Sequence, residues 1–101
     1  ALSPVVECTQ ITYGKLDGRT YPTLPEEAVL TDEMGMTYIY IIESTDEYPE
    51  MTYKTVRKDV TILYRMDGIA YIQLTDVFTL KQVVLRWEGI LEDGQRVCVA
   101  G

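Results

Sequence analysis

Met36-Thr37-Tyr38-Ile39-Tyr40-Ile41-Ile42 is the stretch of sequence that decides the fold. It is rich in aromatic and β-branched residues, which favour extended strands. In a strand, Tyr38, Tyr40 and Ile42 lie on one face, and Ile39 and Ile41 lie on the other. Because both faces are apolar, the sequence predicts a strand that is covered on both sides.

Further strand-like segments lie on both sides of this stretch and are separated by turn sequences. Gly14 to Gly18 is typical of a turn, and Asp67-Gly68 favours a tight hairpin because both residues tolerate positive φ. No window has a sustained period of about 3.6 residues, so we expect little helix. The predicted fold class is all-β, a small β-roll or barrel of about seven short strands.

The segment before the central strand is less regular. Pro22 and Pro25 bracket Thr23 and Leu24, and because proline has no backbone donor, we expect an extended corner here rather than a central strand. The residues from Glu26 to Leu30 are compatible with one helical turn or with the lead into a short strand.

The size and charge of the chain limit its organisation. With 101 residues and a net charge of −7, residues 1–101 are expected to form a single β domain. Because the chain starts abruptly in strand-like sequence, we expect it to be a piece of a longer multidomain protein.

The composition also excludes several classes of function. The chain has no His, so neither a Ser-His-Asp nor a Cys-His nucleophile can form, and two cysteines cannot build a four-thiolate zinc site. We therefore expect no catalytic residues, no cofactor and no metal. The negative charge and the lack of a basic block argue against nucleic acid as a partner. No apolar run approaches the roughly 20 residues of a membrane-spanning helix.

The negative charge is concentrated in one part of the sequence. Between Thr20 and Tyr53 there are eight acidic residues and no Lys or Arg. These residues are typical of solvated loops, but they are also compatible with a docking face for a basic partner. Thr31 to Gly35 has only two acids and one Gly, which is short of a calcium loop. Within the stretch, an aromatic side chain lies among carboxylates, and the candidates for partner contact are Asp46, Glu47, Tyr48 and Glu50.

The two cysteines lie near opposite ends of the chain. Cys8 and Cys98 each fall in a predicted strand, and terminal strands of small β domains often pair. A disulfide between them remains one alternative, and two free thiols that pack as small hydrophobes remain the other.

Four segments, in order, resemble the last domain of the HlyD-like periplasmic adaptor proteins, also called membrane fusion proteins. Leu24 to Leu30 is similar to the family's "Pro, two residues, Ala, apolar" entry, and Gly35 to Ile42 resembles its "Gly, then Val-Tyr-Val-Val" strand. Val56 to Ile62 resembles its basic strand, and Trp87 to Val97 its closing "Ile-x-x-Gly-Leu-x-x-Gly-Asp-x-Val". The sequence departs from the family by about ten extra residues between Val60 and Gly89, which predict an additional hairpin around Asp67 to Phe78.

The resemblance implies a role in export. In that family, the domain is a small, non-catalytic β-roll or barrel that packs against the extracytoplasmic face of a membrane transporter, either an ABC exporter or a proton-driven pump. It implies an extracytoplasmic location, membrane association through other parts of the protein, and assembly with other copies of the adaptor. No residue-level docking motif comes with the resemblance.

Two other readings remain open. One is a surface-displayed β-module that binds a peptide or carbohydrate, which an exposed aromatic platform would favour. The other is a small enzyme with two catalytic carboxylates, which would require two acids roughly 5 to 9 Å apart in a cleft.

Overall fold

The part of the chain that the structure describes folds into an all-β structure of nine strands and one short 3-10 turn. The structure is a computed structural model and describes residues 4–44, 53–74 and 82–100. The elements are β1 Val5–Gln10, β2 Thr12–Leu16, β3 Arg19–Pro25, η1 Glu26–Ala28, β4 Leu30–Thr31, β5 Thr37–Ser44, β6 Tyr53–Met66, β7 Ile69–Leu74, β8 Gln82–Trp87 and β9 Arg96–Val99. This confirms the predicted all-β class with little helix. The count exceeds the predicted number of about seven, partly because Ile11 separates β1 from β2 and partly because the count includes β4, which has only two residues.

The nine strands form one sheet in the order β2-β3-β7-β6-β9-β1-β8-β5-β4. An additional pairing of β5 with β6 joins β5, β6, β9, β1 and β8 in a closed ring. β6 connects the two parts of the sheet, because its first half pairs with β5 and its second half with β7. The strands β7, β3 and β2 thus extend from the ring along the second half of β6.

The hydrophobic core consists of two clusters on opposite sides of β5. Ile39 and Ile41 belong to the first cluster, with residues from β3, β6, β7 and β8. Tyr40 and Ile42 belong to the second cluster, with residues from β1, β8 and β9. The prediction that both faces of this strand are covered is therefore confirmed.

The prediction of an extended corner at Pro22 and Pro25 is wrong. These residues belong to β3, which is an internal strand that pairs with β2 on one side and with β7 on the other. The missing backbone donor of Pro22 is tolerated because the pairing with β7 begins only at Thr23. After β3, the chain makes the 3-10 turn Glu26–Ala28 and then enters β4.

Of the extra hairpin predicted around Asp67 to Phe78, the structure describes the turn at Asp67-Gly68 and the strand β7, which pairs with β6, and residues 75–78 lie outside the described residues. Asp67 has φ of 53° and Gly68 has φ of 77°, as expected for a two-residue hairpin connection. The first hairpin uses the same pair of residue types at Asp17 and Gly18. Gly14 lies inside β2 rather than in the turn.

The terminal strands β1 and β9 pair in parallel, yet the two cysteines are free. The register places Cys98 next to Val5, and Cys8 lies three residues further along β1. Burial raises the pKa of the Cys8 thiol, whereas Cys98 is exposed. The thiols are free, but the expectation that both pack as small buried hydrophobes is wrong for Cys98, and Cys8 is only half-buried.

Candidate functional site

The four residues predicted for partner contact, Asp46, Glu47, Tyr48 and Glu50, lie outside the described residues. In sequence they lie between Ser44, where β5 ends, and Tyr53, where β6 begins. Their role stays a prediction. The described residues contain two other surfaces with features of a contact site.

The first surface is organised around Arg57 on β6. Its guanidinium donates to Asp32 at 2.7 Å and to Asp59 at 3.1 Å. Its Cζ atom lies 3.9 Å from the centroid of the Tyr38 ring, at cation–π distance. The hydrogen bond from Arg57 lowers the pKa of the Asp32 carboxyl below its usual value, and the backbone N–H of Met36 adds to this effect. Asp32 therefore accepts these bonds as a carboxylate at neutral pH.

Asp32 also fixes the turn between β4 and β5. Its Oδ1 atom accepts hydrogen bonds from the backbone N–H groups of Met34 and Met36, each at 2.9 Å. The backbone N–H of Gly35 donates to the carbonyl of Asp32, and Gly35 has φ of 81°. Asp32 is one of the two acids in the stretch that is short of a calcium loop. It accepts hydrogen bonds from the backbone of its own turn and from Arg57.

The loop between β8 and β9 is attached to the same part of β6. Asp93 Oδ1 accepts a hydrogen bond from the backbone N–H of Arg57 at 2.9 Å. The buried hydroxyl of Thr55 donates to the carbonyl of Glu92 and accepts from the backbone N–H of Gln95. Tyr40 Oη donates to the carbonyl of Leu91 at 3.2 Å, and burial raises the pKa of this tyrosine, so it donates as a neutral phenol.

These contacts tie both loops to Arg57, and three of the loops' apolar side chains are exposed. Met34 is 88% exposed and Ile90 is 81% exposed, and Met36 is also exposed. Residues 31–36 and 88–95 carry five carboxylates and no Lys or Arg. We call Met34, Met36 and Ile90, with Glu33, Glu88 and Glu92, the two-loop face.

The charges of the two-loop face are not neutralised within the described part of the chain. Glu33, Glu88 and Glu92 make no salt bridge to any of the described residues. Arg57 is occupied by Asp32 and Asp59, and Arg96, which follows the second loop, has an interaction of its own. Met34, Met36 and Ile90 are therefore exposed apolar side chains on two loops that also carry acidic residues.

An open groove of about 750 Å³ borders the second loop. Val5, Glu7, Arg86, Trp87 and Glu88 contribute to its lining. The Trp87 indole N–H donates to the carbonyl of Gly89 at 3.2 Å, which links the groove to the loop that carries Ile90. Arg86 donates to Glu27 at 2.6 Å and to Glu7 at 3.3 Å, so its charge is compensated.

The second surface, which we call the tyrosine face, lies on the extra hairpin. Strand register puts Tyr64 opposite Tyr71 and Met66 opposite Ile69, all on one side of the sheet. The rings of Tyr64 and Tyr71 meet edge to face with centroids 6.1 Å apart. A Cβ atom at Gly14 would lie 3.1 Å from the Tyr71 ring, so the glycine makes room for this ring against β2. Three of the four side chains, Tyr64, Met66 and Ile69, are exposed.

The described residues offer little that resembles a reaction centre. They contain no group of three or more Cys, Asp or Glu residues that could hold a metal ion. Asp32 is paired with Arg57, and its lowered pKa is the opposite of what a general acid requires. No helix in the described ranges is long and apolar enough to span a membrane.

The two-loop face was missed at the level of sequence because its parts are far apart in the chain. Asp32 and Asp93 are 25 and 36 residues from Arg57. A local signal did exist, since two methionines flank a turn glycine within an acidic stretch, where polar residues are usual.

The described residues thus form an all-β fold with two exposed surfaces that carry apolar side chains. No protein-family model matches the chain, and no curated protein matches it.

Proposed function

We propose that the chain is the non-catalytic, membrane-proximal domain of an export adaptor, which docks on the extracytoplasmic face of a membrane transporter. The observation that carries this proposal is spatial. The four segments that resemble the adaptor family are spread from Leu24 to Val97, and they pack against each other in one unit.

The contacts within this unit are specific. β4 pairs with β5 through Leu30 and Tyr38. Residues 38–44 of β5 pair with residues 53–59 of β6. The closing segment then attaches to both strands through the hydrogen bonds of Tyr40, Thr55 and Arg57. Residues that resemble one family's consensus are thus also the residues that interact, which is expected if they derive from one ancestral domain.

The largest departure from the family is compatible with this reading. The extra residues extend β6 and add β7, and β7 pairs with β3 outside the ring. The insertion therefore adds a strand that packs Ala70 and Ile72 into the first core cluster, and the pairings of β4 with β5 and of β5 with β6 are present beside it.

Copurification tests the proposal. The complete protein that contains this chain, isolated from membranes with an affinity tag and mild crosslinking, is expected to bring down an ABC exporter or a proton-driven pump. Absence of any transporter in repeated preparations would contradict the proposal.

The predicted contact residues can be tested in the same assay. Two double variants, Asp46→Asn combined with Glu47→Gln and Tyr48→Ala combined with Glu50→Gln, are each expected to reduce recovery of the transporter. The reason is that complementary charge speeds association. The matched control is Asp17→Asn with Asp67→Asn, which removes the same charge at two turns where Asn tolerates the positive φ. Equal recovery with all three variants would remove these residues from the interface.

A second candidate function is favoured by the tyrosine face, since an exposed aromatic platform is typical of modules that bind peptides or carbohydrates. Its test is a screen of the 101-residue chain against oligosaccharide and peptide arrays, with Tyr64→Ala as the variant. A ligand that binds the wild type and is lost with Tyr64→Ala would favour this candidate over the adaptor.

A further inference from the structure

We infer that the two-loop face is a docking surface for a partner segment that presents apolar side chains flanked by Lys or Arg. That the partner belongs to a transporter rests on the proposed function, whereas the chemistry of the surface does not.

The two-loop face exposes large apolar side chains. Met34 and Ile90 have the highest exposed fractions, 88% and 81%, among the large hydrophobic side chains of the described residues. Single exposed apolar residues are common on protein surfaces. Here, however, they lie on two different loops that are both tied to Arg57, one through Asp32 and one through Asp93.

The rigidity of the two loops favours binding. The first loop is held by two hydrogen bonds to Asp32 Oδ1, and the second by bonds to Tyr40, Thr55 and Arg57. A surface that is ordered before it meets its partner loses less conformational entropy on association. These bonds therefore keep Met34 and Ile90 in place as anchors.

The negative charge of the two-loop face favours a cationic partner. Glu33, Glu88 and Glu92 each lie within two residues of Met34 or Ile90 in the sequence and make no ion pair with the described residues. An acidic partner would be repelled, and a neutral one would leave these charges uncompensated. A cationic segment with apolar side chains satisfies both parts of the surface.

The adjoining groove gives such a segment a path across the surface. Glu88 belongs both to the two-loop face and to the groove, and Trp87 contributes apolar surface next to it. A partner segment that anchors at Ile90 can thus continue along the groove toward Val5, which is exposed.

A peptide titration tests the chemistry of the surface. The probe is a synthetic 15-residue amphipathic peptide with leucine on one face and lysine on the other, titrated calorimetrically into the 101-residue chain. Met34→Ser with Ile90→Ser is expected to weaken binding about tenfold or more, because both anchors are lost. The same peptide with glutamate in place of lysine is expected not to bind.

The matched control removes two exposed side chains that belong to neither named face. Tyr13 on β2 and Leu63 on β6 are exposed, and Tyr13→Ser with Leu63→Ser is expected to change the affinity less than twofold. A triple variant, Glu33→Gln, Glu88→Gln and Glu92→Gln, removes three negative charges from the two-loop face. We expect this variant to bind the peptide more weakly, with an affinity that depends less on the salt concentration. No binding to the wild type, or an equal loss in both serine variants, would overturn the inference.

The same two serine variants in the complete protein connect this inference to the proposed function. Recovery of the transporter is expected to fall with Met34→Ser and Ile90→Ser and to persist with the control pair. If the wild type recovers no transporter, the proposed function fails, while the peptide titration still decides the docking surface. If the wild type and both variants recover it equally, the surface is wrong and the proposed function stands.

Discussion

At the scale of single residues, Thr55 has an unusual density of bonds for a side chain with no exposed surface. Its hydroxyl donates to the carbonyl of Glu92 and accepts from the N–H of Gln95, while its backbone pairs with Gly94 and Gln95. Thr55 thus attaches the closing loop to β6.

The substitution Thr55→Val keeps the shape of the side chain and removes the hydroxyl. We expect it to lower the free energy of unfolding by about 1 to 3 kcal/mol, because the Glu92 carbonyl and the Gln95 N–H lose their hydrogen-bond partner. Urea denaturation measures this change. Thr61→Val, at an exposed position of the same strand, is the control and should stay within about 0.5 kcal/mol; equal effects at both positions would contradict the role of Thr55.

Asp32 gives a prediction for the pH dependence of stability. Because Arg57 lowers the pKa of Asp32 in the folded state, the ionised carboxylate stabilises the fold at pH values above about 3.9, the ordinary pKa of aspartate. This contribution is lost as the pH falls from there through the lowered pKa of the folded state. Asp32→Asn should therefore be less stable than the wild type at pH 7, and the two should converge in acid. Thermal unfolding at pH 7 and pH 3 measures the difference; a gap that does not narrow in acid contradicts this assignment.

The two cysteines should differ in reactivity. The pKa of Cys8 is raised by burial, which reduces the fraction of reactive thiolate, and Cys98 is exposed. We expect iodoacetamide to modify Cys98 first, as followed by peptide mass spectrometry. Faster modification of Cys8, or recovery of a Cys8–Cys98 disulfide under mild oxidation, would argue against this arrangement.

At the scale of elements, the turns and the most regular strands could be predicted because their signals are local. The alternation of apolar residues from Tyr38 to Ile42 and the pair Asp67-Gly68 lie within a few residues of each other. The internal position of β3 could not be predicted, because the tolerance of Pro22 depends on where β7 starts to pair. That register is a property of the tertiary structure.

The turn of the extra hairpin can be tested by substitution. Gly68→Ala places a Cβ atom on a residue with φ of 77°, and we expect a loss of about 1 to 2 kcal/mol in the free energy of unfolding. Asp67→Asn should change it by less than about 0.5 kcal/mol, since Asn accepts positive φ well. Equal losses in the two variants, measured by urea denaturation, would show that turn geometry is not the cause.

At the scale of the whole molecule, β6 separates two surfaces with different chemistry. Arg57, which organises the two-loop face, and Tyr64, on the tyrosine face, are seven residues apart along β6, or about 23 Å in an extended strand. The all-β class could be predicted from periodicity, and a roll or barrel was expected. Which strands close the ring could not be predicted, because closure depends on pairings between β1, β8 and β9 across most of the chain. For the same reason, the acidic character of the candidate site was visible in the sequence, whereas the meeting of two distant loops at Arg57 was not.

The central claim is that this domain docks on a membrane transporter, and site-specific photocrosslinking in living cells tests it most directly. A photoreactive amino acid is placed at position 34, 90 or 64 of the complete protein, and the crosslinked products are identified by mass spectrometry. We predict crosslinks to a transporter from positions 34 and 90 and none from position 64. Crosslinks to a transporter from position 64 alone, or no transporter from any of the three positions, would contradict this account.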